Sequence, residues 1–237
     1  PEGEQLFSRV EIAHKQFQKA ETEIMNQSSL EFGSITIGAN ETALAVLLLE
    51  KLRAFRKIYP NIRINITDQS TPQALESLDR GIVDFVVATS PANITKHMSL
   101  TELTSINNIM VCGPSFKHLS KTRQHLADLN EYPLIMLERN TMSYAFYNQF
   151  YLNNGISMRV DTETTTINQV LPMVKYDLGL GFLPEPFVRH DLKSGNVFKI
   201  DLYEDIPQRR IVLVQDTRKP ESTAARVLIK DLIADDI

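Results

Sequence analysis

Apolar residues in this chain recur with two spacings, one typical of buried strands and one of amphipathic helices, and the two spacings follow each other. The pattern predicts a first strand–helix set from residue 33 and a second from residue 106. Repeated units of this kind predict an α/β fold with doubly wound sheets. The predicted strands are 33–39, 62–68, 83–88, 106–112, 134–137, 159–164, 178–183, 197–202 and 210–214. The predicted helices are 42–58, 72–80, 126–129, one from Thr141 or Ser143 to 153, 167–176 and 222–233.

The first thirty residues follow a different pattern, with apolar residues spaced alternately by four and by three. The residues of this stripe are Leu6, Val10, Ala13, Phe17, Ala20 and Ile24. So narrow a stripe on a polar helix favours a coiled coil with a second chain, and the alternative is a helix that lies on its own domain. Because the chain opens on Pro1 without an initiator Met, we expect it to be a piece of a longer protein.

Two strand-to-helix corners carry similar polar residues. One runs from Ile35 to Thr42, and the other begins at residues 163–166 and is followed by a helix and the strand 178–183. Helix starts offer unpaired N–H groups and a partial positive charge. Such corners, without a nucleophile or a metal cluster, predict a protein that holds a small anionic molecule and does not transform it.

The amino-acid composition argues against several classes of function. The chain has 237 residues, 43% hydrophobic and 23% charged, and its net charge of −4 argues against nucleic-acid binding by this stretch alone. The longest apolar run, 43–49, is far too short to span a membrane, and no signal peptide is evident. The single cysteine, Cys112, lies in a predicted strand and is expected to be a buried, inert thiol in a reducing cytoplasm.

No catalytic or metal-binding pattern is present in the sequence. The five histidines are scattered without metal-ligand spacing, and there is no nucleophile elbow or phosphate loop. We therefore predict no enzymatic activity, no metal and no cofactor.

Four sequence segments resemble the LysR-type transcriptional regulators, in family order and over essentially the whole chain. Residues 1–3 resemble the end of that family's winged helix-turn-helix module, where the linker helix begins. Residues 33–38, with the helix that closes at Tyr59-Pro60, resemble its opening pattern. Residues 78–84 match its Leu-x-x-Gly-x-Leu-Asp corner, and 178–184 resemble its Gly-x-Gly-Ile-Ala-x-Leu-Pro strand. Asp177 stands where the family has glycine, and we expect it to adopt the left-handed turn. Pro172 is expected to kink the preceding helix.

The resemblance implies two Rossmann-like, periplasmic-binding-protein-like subdomains with a central ligand cleft, preceded by a linker helix. Its implied domains are the linker and dimerisation helix 1–30, subdomain I (31–104 plus 208–237) and subdomain II (105–207). The effector of this family sits in the cleft, held at strand ends and helix starts, as open α/β sheets favour. The implied effector-binding residues are Asn40, Glu41, Thr42, Ser70, Thr71, Thr89, Ser90, Asn140, Thr141, Thr165 and Thr166.

Some of these residues have a structural explanation as well. Ser, Thr and Asn at helix starts are commonly plain caps, and we expect that role for Thr42, Thr71 and Thr166 whether or not they touch an effector. Glu41 would repel an anion, unless it faces away or meets the amino group of a zwitterion. Arg139 is either a carboxylate clamp or a solvated side chain.

The resemblance implies the effector-sensing and oligomerising region of a cytoplasmic bacterial transcription regulator. A small inducer, possibly a carboxylate or amino acid, would favour one hinge angle and one packing of a homodimer or homotetramer. DNA would be bound only through the missing N-terminal module, and no membrane is involved. The first alternative is a solute-binding protein of a transport system, and the second is an enzyme on a similar scaffold.

Overall fold

A computed structural model of the chain describes residues 33–234 and, before them, Gly3, Leu6, Phe7, Val10, Ala13 and His14. Most of the predicted linker helix 1–30 therefore lies outside the described residues. Leu6 and Val10 belong to its apolar stripe, and they are helical with 64% and 55% of their surface exposed.

The chain forms strands and helices in alternation over most of its described length. The strands are β1 (Gly33–Ala39), β2 (Ile62–Asp68), β3 (Phe85–Thr89), β4 (Met98–Ile106), β5 (Asn108–Cys112), β6 (Leu134–Leu137), β7 (Thr162–Thr164), β8 (Leu180–Pro184), β9 (Phe198–Ile200) and β10 (Arg209–Asp216). The helices are α1 (Glu41–Ala43, a π-helical segment Leu44–Leu48, then Leu49–Ile58), α2 (Thr71–Asp79), a 3-10 segment (Pro114–Ser120), α3 (Leu126–Leu129), α4 (Met142–Asn153), α5 (Ile167–Lys175), α6 (Glu185–Ser194) and α7 (Thr223–Ile233).

Two compact units divide the chain. Unit 1 consists of Pro1–Ala88, Asn93–Leu103 and Val212–Ile237, and unit 2 of Thr89–Ala92 and Thr104–Ile211. Each of β3, β4 and β10 therefore has residues in both units. Of the described helices, none has the length and hydrophobicity needed to cross a lipid bilayer.

The sheet of unit 1 has the strand order β2-β1-β3-β10-β4. β1 pairs in parallel with β2, from Gly33 opposite Ile62 to Ala39 opposite Asp68, and also with β3. Every residue of β3 is buried, as expected for a parallel strand covered on both faces. The carboxyl ends of β1 and β2 thus lie side by side, and each leads into a helix.

The sheet of unit 2 has the order β7-β6-β8-β5-β9. β6 is parallel to β7 and β8, whereas β5 pairs antiparallel with β8 and β9. The hydrophobic core between α4 and this sheet is rich in aromatic residues. The Tyr147 ring stacks on the Phe182 ring with 4.3 Å between their centroids, and the Phe150 and Tyr151 rings contact Phe182 edge-on. This packing fixes the inner face of α4 against the sheet.

The turn before β8 confirms the expectation for Asp177. Its φ of 59° is left-handed, and its carboxylate accepts hydrogen bonds from the Ser115 backbone N–H at 2.9 Å and from the Ser115 hydroxyl at 2.7 Å. A glycine would adopt this φ but could not make these bonds, so Asp177 also ties the turn to the 3-10 segment. The preceding helix α5 continues through Pro172 to Lys175.

Three elements were not predicted: β4, α6 and the 3-10 segment. The buried residues of β4 are Met98, Leu103 and Ile106, so its sequence lacks strict alternation, and the predicted limit between residues 104 and 105 lies inside this strand. α6 buries only Val188 and Asp191, so its apolar stripe is weak. The predicted strand 159–164 is shorter, because only Thr162–Thr164 pair with β6.

Candidate functional site

In unit 1, the structure brings together the two helix starts that follow β1 and β2. The Asn40 side chain caps α1, since its Oδ1 accepts a hydrogen bond from the Ala43 N–H at 2.9 Å. The same side chain donates from Nδ2 to the Thr71 hydroxyl at 3.4 Å. Asn40 thus connects the two corners, as expected for neighbouring parallel strands.

Two of the predicted caps in this unit are wrong. Thr42 lies inside α1, where Asn40 is the N-cap, and Thr71 is the first residue of α2, where Ser70 is the N-cap. Gln73 Oε1 accepts from the Ser70 N–H at 3.1 Å and the Ser70 hydroxyl at 2.8 Å. Each helix therefore begins one residue earlier than its pattern of apolar residues indicates.

The remaining predicted residues of unit 1 differ in accessibility. Glu41 and Thr42 are half-buried in the first turn of α1, whereas Thr71 is only 4% exposed. A carboxylate in the first turn complements the positive end of the helix, which gives Glu41 a structural role without any effector.

In unit 2, Thr89 and Ser90 contact an arginine that was not among the predicted site residues. Arg209, the first residue of β10, donates from Nη2 to the Thr89 hydroxyl at 2.8 Å and from Nε to the Ser90 carbonyl at 2.9 Å. Ser90 also pairs with the backbone of Arg210, accepting at Oγ and donating from N. Both predicted residues are thus held against the beginning of β10.

Arg209 is buried, with 5% of its surface exposed, and it is a cation. Its Nη1 donates to the Ser143 hydroxyl at 2.9 Å, and its guanidinium lies 5.0 Å from the centre of the Phe146 ring. Burial lowers the pKa of the Arg209 guanidinium from its ordinary value, because its surroundings disfavour charge. Within residues 33–234, no Asp or Glu forms an ion pair with it.

Ser143 belongs to the start of α4, which the sequence placed at Thr141 or Ser143. Thr141 is the N-cap: its hydroxyl accepts from the Tyr144 N–H at 3.1 Å and donates to the Glu138 carbonyl at 2.7 Å. The neighbouring Asn140 is exposed. Of this pair, Thr141 has a defined structural role, and the helix it caps contacts Arg209 through Ser143.

Thr165 and Thr166 lie at the start of α5. Thr166 is the N-cap in position, as predicted, but its side chain makes no capping hydrogen bond. Thr165 is exposed, and its hydroxyl lies 3.4 Å from Gln169 Oε1, which also accepts from Thr164. Arg139 is an exposed residue that pairs with Glu163 at 3.4 Å, so its charge already has a partner.

One cluster in unit 1 has metal-type ligands. Asp79, His97 and Asp216 offer ligand atoms within 4.8 Å of one another. However, Arg218 lies 2.7 Å from the Asp79 carboxylate and 2.8 Å from that of Asp216, and Lys219 lies 3.0 Å from Asp216. Protein cations thus occupy these carboxylates, and the bond from Arg218 is the main reason that the pKa of Asp216 lies well below its usual range.

Cys112 is buried, as predicted. Burial, with a smaller contribution from the Asp177 carboxylate, raises the pKa of its thiol to about 11. The thiol is therefore protonated at neutral pH and a poor nucleophile.

Comparisons with known proteins agree on the family. The HTH-type transcriptional regulator EstR of Acinetobacter baylyi is 24% identical over 226 residues, which are 92% of this chain and 72% of EstR. This chain spans about two thirds of the length of the curated relatives it matches.

Two solved structures share the fold. The effector-binding domain of QuiR in complex with shikimate has a TM-score of 0.75 and 17% identity, and the match covers 86% of this chain and 97% of QuiR's. Full-length CbnR in complex with its target DNA has a TM-score of 0.77 and 13% identity, with 97% and 80% covered. The two-subdomain, periplasmic-binding-protein-like α/β fold is thereby confirmed. The family model described as the LysR substrate binding domain matches residues 28–235, and the chain therefore belongs to that family.

Proposed function

We propose that this chain is the effector-sensing and oligomerising region of a LysR-type transcription regulator. The observation that carries the proposal is the family match, which extends over residues 28–235. The full-length protein would bind DNA through a module outside this chain, and would act in the cytoplasm as a homodimer or homotetramer.

The structures of relatives support the two halves of this proposal. QuiR was solved with shikimate in its effector-binding domain, and CbnR was solved with its target DNA. In the QuiR structure this fold holds a small molecule. In the CbnR structure this fold is part of a full-length protein that binds DNA.

We propose as effector-binding residues the set identified from the sequence. They are Asn40, Glu41, Thr42, Ser70, Thr71, Thr89, Ser90, Asn140, Thr141, Thr165 and Thr166. Hydroxyls and helix-start N–H groups suit a small anion. The domain limits 31–104 plus 208–237 and 105–207 are part of the same proposal.

Regulation would follow from a difference in affinity between two conformations. An effector shifts the equilibrium only by as much as it binds one conformation more tightly, and typical couplings are about 1–3 kcal/mol. That corresponds to a change of roughly 5- to 150-fold in the affinity of the full-length protein for its operator.

A thermal-shift screen of small carboxylates, amino acids and aromatic acids tests the proposal. Binding to the folded state raises the apparent stability, by about 2.7 kcal/mol at a hundredfold excess over Kd. The double substitution Thr42→Ala, Thr165→Ala should abolish the shift without changing the fold, whereas Thr122→Ala, an exposed threonine away from helix starts, should preserve it.

The alternatives predict other outcomes. A solute-binding protein is not favoured, because the curated relatives are transcription regulators, and it would be monomeric. An enzyme would convert the bound compound, which chromatography of the recovered ligand would detect. Binding without turnover, together with self-association, is the result that the proposal requires.

A further inference from the structure

We infer that Arg209 and the start of α4 form the subsite that recognises a single carboxylate group of the effector. The inference rests on the proposed function and makes it more specific, since it names the ligand's charged group and a binding residue outside the predicted set. All of the groups involved belong to unit 2.

Within residues 33–234, no carboxylate balances the charge of Arg209. A buried cation is normally paired with a carboxylate, because moving an isolated charge out of water is costly. Arg209 is 5% exposed, yet its hydrogen-bond partners are two hydroxyls and one carbonyl, and its flat face meets the Phe146 ring. All of these partners are neutral, so the positive charge is uncompensated within the described chain.

The Arg209 guanidinium also has more N–H donors than its three hydrogen bonds use. A guanidinium has five N–H donors, and three of them bond to Thr89, Ser90 and Ser143. One N–H remains on each of the two terminal nitrogens. Two such donors are what a carboxylate uses in a bidentate pair.

The start of α4, which Arg209 contacts, also favours an anion. α4 has 12 residues, and its first two N–H groups, those of Met142 and Ser143, have no partner within residues 33–234. The Ser143 hydroxyl bonds to the guanidinium, so a full positive charge stands at the positive end of a helix dipole. These two features repel each other, and an anion between them would stabilise both.

The charge count identifies the ligand class. Among the groups named here, Arg209 is the one full cation, so one negative charge neutralises the subsite. A carboxylate supplies that charge and matches the planar fork of the guanidinium, whereas a doubly charged phosphate would leave excess negative charge buried.

The experiment uses acetate as the probe, with acetamide as its neutral counterpart of similar shape. In the ¹⁵N-labelled chain, the Arg209 Nε–H resonance is assigned by its loss in Arg209→Lys and followed during titration. We expect a saturable shift with millimolar acetate and none with acetamide. Arg209→Gln should weaken acetate binding by about tenfold or more, measured by the thermal shift that acetate produces.

Arg210→Gln is the matched control, because Arg210 is the next residue along the chain and has an exposed side chain. The substitution removes the same charge from the surface. It should leave acetate binding unchanged. If the Arg209 resonance responds equally to acetate and acetamide, or to neither, the inference is overturned; both titrations are made on the wild-type chain, so this result does not depend on the folding of Arg209→Gln.

The two proposals fail in different ways. Stabilisation by a neutral compound, with no response of Arg209 to acetate, would retain the effector-sensing function and remove the carboxylate subsite. Acetate binding at Arg209, with no ligand altering DNA binding by the full-length protein, would retain the anion subsite and remove the sensing function.

Discussion

Replacing Asp216 by Asn should destabilise unit 1 and reduce the dependence of its stability on pH. The Asp216 side chain is 1% exposed and accepts hydrogen bonds from the Arg218 N–H at 3.1 Å and from the Arg218 guanidinium at 3.0 and 2.8 Å. Lys219 lies 3.0 Å away. Asn keeps the shape of the side chain but removes the charge and one acceptor oxygen.

The magnitude follows from these contacts. Removing one partner of a fully buried ion pair costs about 3–5 kcal/mol, but Arg218 and Lys219 are 49% and 40% exposed, so water solvates them once the carboxylate is gone. Charge-assisted hydrogen bonds contribute about 1.5–3 kcal/mol, and we expect a loss of about 2 kcal/mol at neutral pH. For a chain of this size, that loss lowers Tm by about 4–8 °C.

The pH dependence has a definite sign. Because the folded state holds the pKa of Asp216 below its ordinary value, the carboxylate's contribution is complete above the unfolded pKa of 3.8 and is lost as the pH falls below it. The difference between the wild type and Asp216→Asn should therefore be constant near neutrality and shrink in acid.

Urea denaturation at several pH values measures this difference, and Asp205→Asn, at an exposed aspartate, is the control for charge. Equal midpoints for Asp216→Asn and Asp205→Asn at neutral pH would refute the reasoning. So would a difference between Asp216→Asn and the wild type that does not diminish in acid.

Three other predictions follow from packing and exposure. Gly113→Ala would place a Cβ 2.2 Å from a backbone carbonyl of α5, so denaturation should show a loss of about 3 kcal/mol or more, whereas Gly33→Ala, with 3.9 Å of space, should cost about 1 kcal/mol or less. Cys112 should resist a thiol reagent at neutral pH and react only as denaturant unfolds the chain; rapid reaction in buffer would contradict its burial. Leu6→Asp with Val10→Asp should lower the proposed self-association in sedimentation experiments, and an unchanged mass would exclude the apolar stripe as the contact.

The sequence predicted the elements with regular apolar spacing better than those without it. β1, β2, α3 and β6 were located to the residue, because β6 is a continuous buried apolar run and because apolar and polar residues alternate along β2, although only Ile62 of that strand is buried. β4 was missed because its buried residues, Met98, Leu103 and Ile106, do not alternate with exposed ones along the strand. The left-handed turn at Asp177 was foreseen from a family pattern in which glycine is replaced by the next most tolerant type of residue.

The helix caps could be predicted only in part, because more than one polar residue precedes each helix. Thr42 and Thr71 were expected to cap their helices, but Asn40 and Ser70 stand upstream and make the capping interactions. Asn and Ser are at least as good caps as Thr, so the earlier residue extends the helix by a fraction of a turn. The polar residues before a helix predict that the helix is capped. Which of these residues forms the cap depends on the competition between neighbouring side chains.

Arg209 could not be identified as a site residue from local sequence, because its environment is assembled from distant segments. Its partners lie 120 residues away at Thr89 and 66 residues away at Ser143, and the adjacent Arg210 is exposed although it is the same type of residue. The alternation of β10 offers one signal, since it places Arg209 on the same side of the strand as the buried Ile211 and Leu213. An arginine at an inward-facing strand position needs compensation for its charge, and the described chain supplies only hydroxyls, a carbonyl and a ring. The missing negative charge is therefore the property by which this unit would distinguish a carboxylate effector from a neutral molecule of the same shape.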